Sequence, residues 1–440
     1  MNALKLFWYR AFLEKRPSLS LGLFRLAVAL TVGCHVIPSF LHMDENYLAT
    51  AFKVQNPSFF PVPILQLAAA SPDWMVWLWV WVFFLSWISF TIGLWTQASA
   101  IAMTLACYYF YALNSYHIGT LSFDILLVTL VLVCVTGYSG DFLSIDSLRR
   151  GKANAYKRPR SFFIQRLLQL QVAATFWYTA LNKMAAGGNW LTENPYYCLM
   201  HYPAIGVVRN FPGKLLLGQH PALCHGLGFA LITFEILVPL AWFIPRMRKT
   251  GIILGVAFHL MLWGTLHVPT IFLFLFPPLM FLFIRPETLV GWIENKQAES
   301  ARQTRLLLLY DGGCGFCLES IKRLRVLDLF GTVDPLDFHT IPDLTRLHPA
   351  LTARRCHSEM VLLESDGRLS GGFEAFARLS RKLVLLWPVF PLVSLPGVGI
   401  IGSRVYRWIA EHRYLLHRNP ACINNQCAVS GVAKNDASSN

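Results

Sequence analysis

The residues with the most immediate chemistry are Cys314-Gly-Phe-Cys317. Two cysteines three positions apart on the first turn of a helix can form and break a disulfide. The helix N-terminus adds unpaired amides and about half a positive charge, which favour a thiolate. Cys314 is then the attacking thiol and Cys317 the resolving one. Asp311, just ahead of them, can cap the loop or exchange a proton with Cys317. The rival chemistry is half of a zinc tetrad, with Cys422 and Cys427 as the other half. Their four-residue gap is loose and the first cysteine pair follows a buried strand, so no metal site is assigned. A second set of candidates lies in apolar sequence. Lys183 follows a stretch from 167 to 182 without acid or base. It reads either as an ordinary interfacial lysine or, if partly desolvated, as a general base. Glu235 and His259 interrupt two further apolar runs. Both lie roughly 15 Å along a helix from the shared basic turn near 246–249. They are expected to touch, either as a neutral hydrogen bond tying two helices or as a proton relay.

Elements must hold these groups in place. Residues 305–310 read as a short buried strand, Asp311-Gly-Gly313 breaks it, a helix follows to 330, and a second strand spans 332–338. That order predicts a small α/β domain of thioredoxin-like fold. Upstream the chain is of another kind. Of its 440 residues 55% are hydrophobic and only 14% charged, with 14 Trp and 32 Phe, which excludes a disordered chain, a collagen-like fibre and a simple soluble enzyme. The expectation is a polytopic all-α membrane domain of about eight transmembrane helices, near 20–38, 74–95, 98–114, 121–138, 163–182, 222–244, 250–267 and 269–284. Pro277-Pro278 leaves a re-entrant hairpin open for the last. Lys+Arg exceed Asp+Glu by 38 to 24, but the bases cluster between apolar runs, so nucleic acid is discounted and the lipid bilayer is the expected partner. The clusters before the first span, after the fourth and after the sixth fall on one side. The positive-inside rule makes that side the cytoplasm and puts the C-terminal domain there, in a multi-pass cell-membrane protein. Residues 3–15 read as an interfacial amphipathic helix, and Arg25 and Arg166 are expected to snorkel towards the surface. The expected boundaries are 1–294 for the membrane domain, 295–304 for a linker, 305–418 for the dithiol domain and 419–440 for a loose tail. The uncharged run 383–401 holds three prolines and reads as a core segment or a membrane-docking face.

The membrane part resembles the HTTM domain, the transmembrane part shared with vitamin K-dependent gamma-carboxylase, over roughly residues 15 to 290. The likeness rests on Gly22-Leu-Phe-Arg25-Leu, Asn114-Ser-Tyr-His117 with Ser122-Phe-Asp124, Gln169-Leu-Gln171 running on to Asn182-Lys183, Trp190, and Phe258-His259. The resemblance implies a membrane enzyme that oxidises a reduced quinone and uses the base so formed to deprotonate a substrate. It maps the base to Lys183 and a histidine role to His117. The carboxylase has two adjacent lysines where this chain has Asn182-Lys183, and its luminal docking domain has no counterpart here, which implies a different substrate. The C-terminal part resembles the DCC family of thiol-disulfide oxidoreductases through Tyr310-Asp311-Gly-Gly-Cys314-Gly-Phe-Cys317, Gly372-Phe-Glu374 and Val405-Tyr406-Arg407-Trp408-Ile409-Ala410. That resemblance implies a membrane-bound dithiol enzyme whose partner is a thiol or disulfide, in a protein or a small molecule. A non-catalytic, transporter-like or scaffolding bundle is the remaining reading.

Overall fold

The computed structural model describes residues 3–55, 61–115, 126, 128–131, 133, 137–151, 154–185, 197, 201, 214–265, 276–302, 305–387, 389–416, 422–423 and 426–427. They form two compact units, Met1–Asp146 with Tyr156–Val290 and Ser147–Ala155 with Gly291–Asn440.

The first unit is helical. Helix α1 (Ala3–Trp8) runs into a π-helical turn, Tyr9–Leu13, and then β1 (Lys15–Pro17), which pairs antiparallel with β2 (Pro159–Ser161). The long helices are α2 (Leu19–Val36), α3 (Asp73–Ile92), α4 (Thr96–Leu113), α5 (Phe163–Ala185), α6 (Pro221–Phe243) and α7 (Arg248–Thr265). Phe24, Val28 and Val32 of α2 meet Phe83 and Phe90 of α3, Phe110 of α4 and Phe176 of α5 in one core. The outer face of α3 is as apolar as its inner one: Trp74, Trp77, Trp81, Leu85 and Ile88 are all exposed. A stripe of that kind belongs against hydrocarbon. Among the described residues, three segments are long and apolar enough to cross a membrane: Leu19–Asn46, Asp73–Ile92 and Pro221–Phe243. The spans expected at 98–114, 163–182 and 250–267 are helical as α4, α5 and α7. Their hydropathy is diluted by residues such as Thr96, Gln97 and Thr104 in α4 and Gln165, Arg166, Gln169 and Gln171 in α5. Most of 121–138 and much of 269–284 lie outside the described residues.

Helix α3 stops at Gly93 (φ +68), where a Cβ would come within 2.5 Å of Arg25 Nη1. This corrects the expectation for Arg25. Its side chain is buried, donating to Ser139 O at 2.9 Å and to Leu143 O, because the turn at 137–143 brings carbonyls to it and it has no need to reach water.

The chain enters the second unit along α8 (Pro286–Arg302), so the stretch expected as a linker is helical as far as Arg302. Here β3 (Leu306–Tyr310) is central in a mixed sheet. It pairs parallel with β4 (Val333–Asp337) and antiparallel with β5 (Val361–Leu363), and β5 pairs antiparallel with β6 (Leu369–Gly371). A strand buried on both faces needs an unbroken apolar run, which Leu306 to Leu309 supplies. Leu306 and Leu308 pack on one face with Ile321 of α9 (Gly315–Leu327) and with Ala375 and Leu379 of α11 (Gly372–Lys382). Leu309 packs on the other with Phe338, Leu351 and Cys356 of α10 (Ala353–Ser358). The last long helix is α12 (Val398–Leu416). The run 383–401 divides: Leu383 and Leu386 join the core, while Leu392, Leu395, Ile400 and Ile401 are exposed.

Candidate functional site

The strand end at Tyr310 delivers the chain into Asp311, and the backbone N–H of Cys314 donates to Asp311 O at 3.2 Å to close the turn. Cys314 is the N-cap of α9, in extended backbone, and its Sγ accepts the amide of Cys317 at 3.4 Å. A sulfur there meets amides that the helix cannot satisfy itself. The Cys314 thiol is pulled down to about 6: the Cys317 thiol donates to it, the Cys317 and Phe316 amides add to this with Arg413, and burial opposes. Cys317 is pushed up for the complementary reason, as donor to Cys314, and burial adds to the effect. The two sulfurs are thereby differentiated, the first ionised and the second protonated. Both are buried.

Asp311 is 2% exposed and sits in a network that sequence reasoning did not anticipate. Its Oδ1 accepts from Gly313 N and from His339 Nε2, each at 3.0 Å, and its Oδ2 from Arg413 Nη2 at 3.2 Å. His357 Nδ1 lies 3.6 Å from Oδ2. Arg413 also donates to His357 O. The loop is held from below by Asp337, whose Oδ1 accepts from Gly312 N at 3.0 Å. Gly312 is obligatory, since a Cβ would lie 2.0 Å from Asp337 Oδ2. His339 follows β4 by two residues, His357 lies in the last turn of α10 and Arg413 comes from α12. No local spacing rule links them to Asp311, and the only trace was the Val405–Ala410 motif, which marked α12 without pointing to Arg413. The donor atoms of Asp311, His339 and His357 lie within 4.8 Å of one another, a set that suits a divalent cation. Arg413 already places a fixed positive charge on Asp311, which opposes an ion there. Cys422 and Cys427 face each other in a two-residue hairpin ladder.

Residues 13–288 match the HTTM domain family, and residues 308–419 match the DCC1-like thiol-disulfide oxidoreductase family. The chain belongs to the HTTM family. Its HTTM domain comes first and the DCC1-like domain second, in the order the motifs implied. Over 130 residues the chain is 23% identical to an uncharacterized chloroplastic protein of Arabidopsis thaliana. The match covers 29% of this chain and 60% of that relative. No solved structure matches the chain.

Within the HTTM domain, Lys183 Nζ lies 2.8 Å from both Oε1 and Oε2 of Glu235, with the carboxylate buried and the ammonium nearly so. The contact expected between Glu235 and His259 is therefore corrected. His259 Nδ1 is 2.9 Å from Gly255 O in its own helix, and its ring stacks on Phe276 at 4.2 Å and meets Phe176 edge-on. The depth count placed Glu235 and His259 at one level, but depth leaves the azimuth open. Glu235 faces α5, not α7. His117 lies outside the described residues.

Proposed function

We propose that the protein is a membrane-bound thiol-disulfide oxidoreductase in which Cys314 attacks and Cys317 resolves. The observation that carries this is the Cys314 sulfur at the start of α9, receiving the Cys317 amide and titrating near 6, beside a partner thiol held protonated. In the oxidising half of the cycle the Cys314 thiolate attacks one sulfur of a substrate disulfide. That S–S bond breaks, the other substrate sulfur leaves as a thiolate, and a mixed disulfide remains. Cys317 then loses its proton and attacks Cys314 Sγ, releasing the second substrate sulfur as a thiolate. The substrate has gained two electrons and takes up two protons, and the enzyme holds an intramolecular disulfide. Asp311, close enough to act on Cys317 electrostatically, is the proposed proton acceptor, with His339 leading outwards. Because both sulfurs are buried, exchange requires local opening over the loop.

A thioredoxin-like fold is part of the proposal. It is supported by the sheet order β4-β3-β5-β6, with the parallel β3-α9-β4 unit carrying the dithiol at the strand-to-helix turn. The HTTM domain is proposed to cross the bilayer eight times, with the dithiol domain in the cytoplasm. The substrate is a protein or small-molecule thiol or disulfide. The test uses the full chain in detergent: Cys314→Ser should abolish exchange with a model disulfide, and surviving exchange would refute the assignment of the nucleophile. Labelling Cys314 in spheroplasts with an impermeant thiol reagent tests the orientation, which rapid labelling from outside would overturn.

One observation favours a second reading for the membrane domain. Lys183 and Glu235 form a buried acid–base pair at the position where the carboxylase resemblance expects a base. In a quinone-linked enzyme of that type, transfer of the shared proton to Glu235 would free the Lys183 amine. Quinol oxidation unaltered in Lys183→Ala would remove this reading.

A further inference from the structure

The first unit contains a cavity of about 650 Å³ between the N-terminal turn, α5 and the end of α6, within the size range of small-molecule sites. Its walls are Leu6, Phe12, Leu170 and Phe243, with Arg10 and Arg166 among them. Arg166 is half-buried. Its Nε donates to Ala11 O at 2.8 Å and its Nη1 to Gln169 Oε1 at 2.7 Å, and its guanidinium lies over the Phe162 and Phe243 rings at 4.9 and 5.7 Å. Among the described residues Nη2 has no partner, and the charges that act on Arg166 are other cations, Arg16 and Arg248. Arg16 is taken by Glu14 at 2.7 Å and faces Glu287 at 3.9 Å, so the nearby acids are spent on it. Arg10 is exposed, with no ionic partner among the described residues.

A guanidinium lying on aromatic rings beside apolar walls, with an unused donor and only cations around it, calls for an anion that brings its own hydrocarbon. We infer that this cavity binds an anionic phospholipid from the leaflet on the side of the basic clusters. The headgroup phosphate lies on Arg166 and Arg10, and an acyl chain runs along Leu6, Leu170 and Phe243. Basic pockets between membrane helices hold acidic headgroups in this way, and the fork of an arginine suits phosphate oxygens. Free phosphate leaves the four apolar walls uncovered, and a zwitterionic lipid offers no net charge to offset the excess of cations. The interfacial turn Tyr9–Leu13 then serves as one wall of a lipid site as well as an anchor.

The test takes the full chain in neutral detergent and counts bound lipid by native mass spectrometry, alongside the thermal midpoint, with phosphatidylglycerol, phosphatidylcholine or sodium phosphate added. Phosphatidylglycerol alone should be retained and should raise the midpoint, and Arg10→Gln should weaken its binding about tenfold, the effect of one hydrogen bond to a charged group. Arg166→Lys, which keeps the charge and loses the fork, should weaken it as well. If Arg166→Lys fails to fold through loss of the Ala11 contact, Arg10→Gln decides, since Arg10 ties nothing together. Equal retention of phosphatidylcholine, full stabilisation by phosphate alone, or unchanged binding in Arg10→Gln would each overturn the inference.

Discussion

Replacing Cys317 with Ala removes the largest single cause of the low Cys314 titration, the hydrogen bond from the second thiol, and leaves the Phe316 and Cys317 amides and Arg413 in place. With the midpoint brought from 9.0 to about 6, the anion is favoured by about 4 kcal/mol relative to an ordinary cysteine. At pH 7 about nine-tenths of Cys314 is then ionised, against about one-hundredth for an unperturbed thiol. The sign of the linkage follows. Between about 6 and 9 the unfolded chain holds a proton on Cys314 that the folded chain has lost, so Cys314 makes folding more favourable as pH rises through that window and loses the contribution as pH falls through about 6. Cys317, pushed the other way, opposes folding above its ordinary value. The assay is the ultraviolet absorbance of the thiolate as a function of pH in the full chain, with Cys314→Ser subtracted so that the other cysteines cancel. Absorbance suits the site because both sulfurs are buried and alkylation would report on opening. In Cys317→Ala the midpoint should move upward and the thiolate share at pH 7 should fall. A wild-type midpoint near 9, or a midpoint that Cys317→Ala leaves where it was, would refute the reasoning.

Arg413→Met strands the buried Asp311 carboxylate and should destabilise the DCC1-like domain by about 3–5 kcal/mol in urea unfolding, while Asp311→Asn with Arg413→Met should cost less than the sum of the singles. Gly312→Ala drives a methyl into Asp337 and should lower both the unfolding midpoint and the exchange rate, with Gly399→Ala in α12, where a Cβ meets nothing within 4 Å, as the control. Lys183→Met leaves Glu235 buried without its cation and should lower the thermal midpoint of the full chain in detergent, and adding Glu235→Gln should restore much of it.

The parts of this protein that could be read in advance were those in which a local pattern has one physical outcome. The run Leu306 to Leu309 ahead of Asp311-Gly-Gly313 could only be a buried strand meeting a tight turn, and it is β3 leading into α9. The uncharged stretch after Asp73 is a single helix as far as Gly93. What escaped were contacts fixed by rotation and by long sequence separation. The 1.5 Å rise per residue gave Glu235 a depth without a facing partner, so Lys183 was missed as its counter-ion. Arg25 was assigned to the surface by its charge, because nothing local announces the Ser139 and Leu143 carbonyls that hold it more than a hundred positions away. No local pattern singles out His339 or His357, and only the assembled domain turns them towards Asp311.

Asp311 and Arg413 stand 102 positions apart. A ribosome adding ~5–20 residues per second needs about 5–20 s to travel from one to the other. For that interval the cysteines have already been made while the guanidinium that completes their surroundings has not. The surroundings of the two cysteines are thus among the last features of their domain to mature, and a nascent chain arrested before α12 carries two thiols without the cation that tunes them.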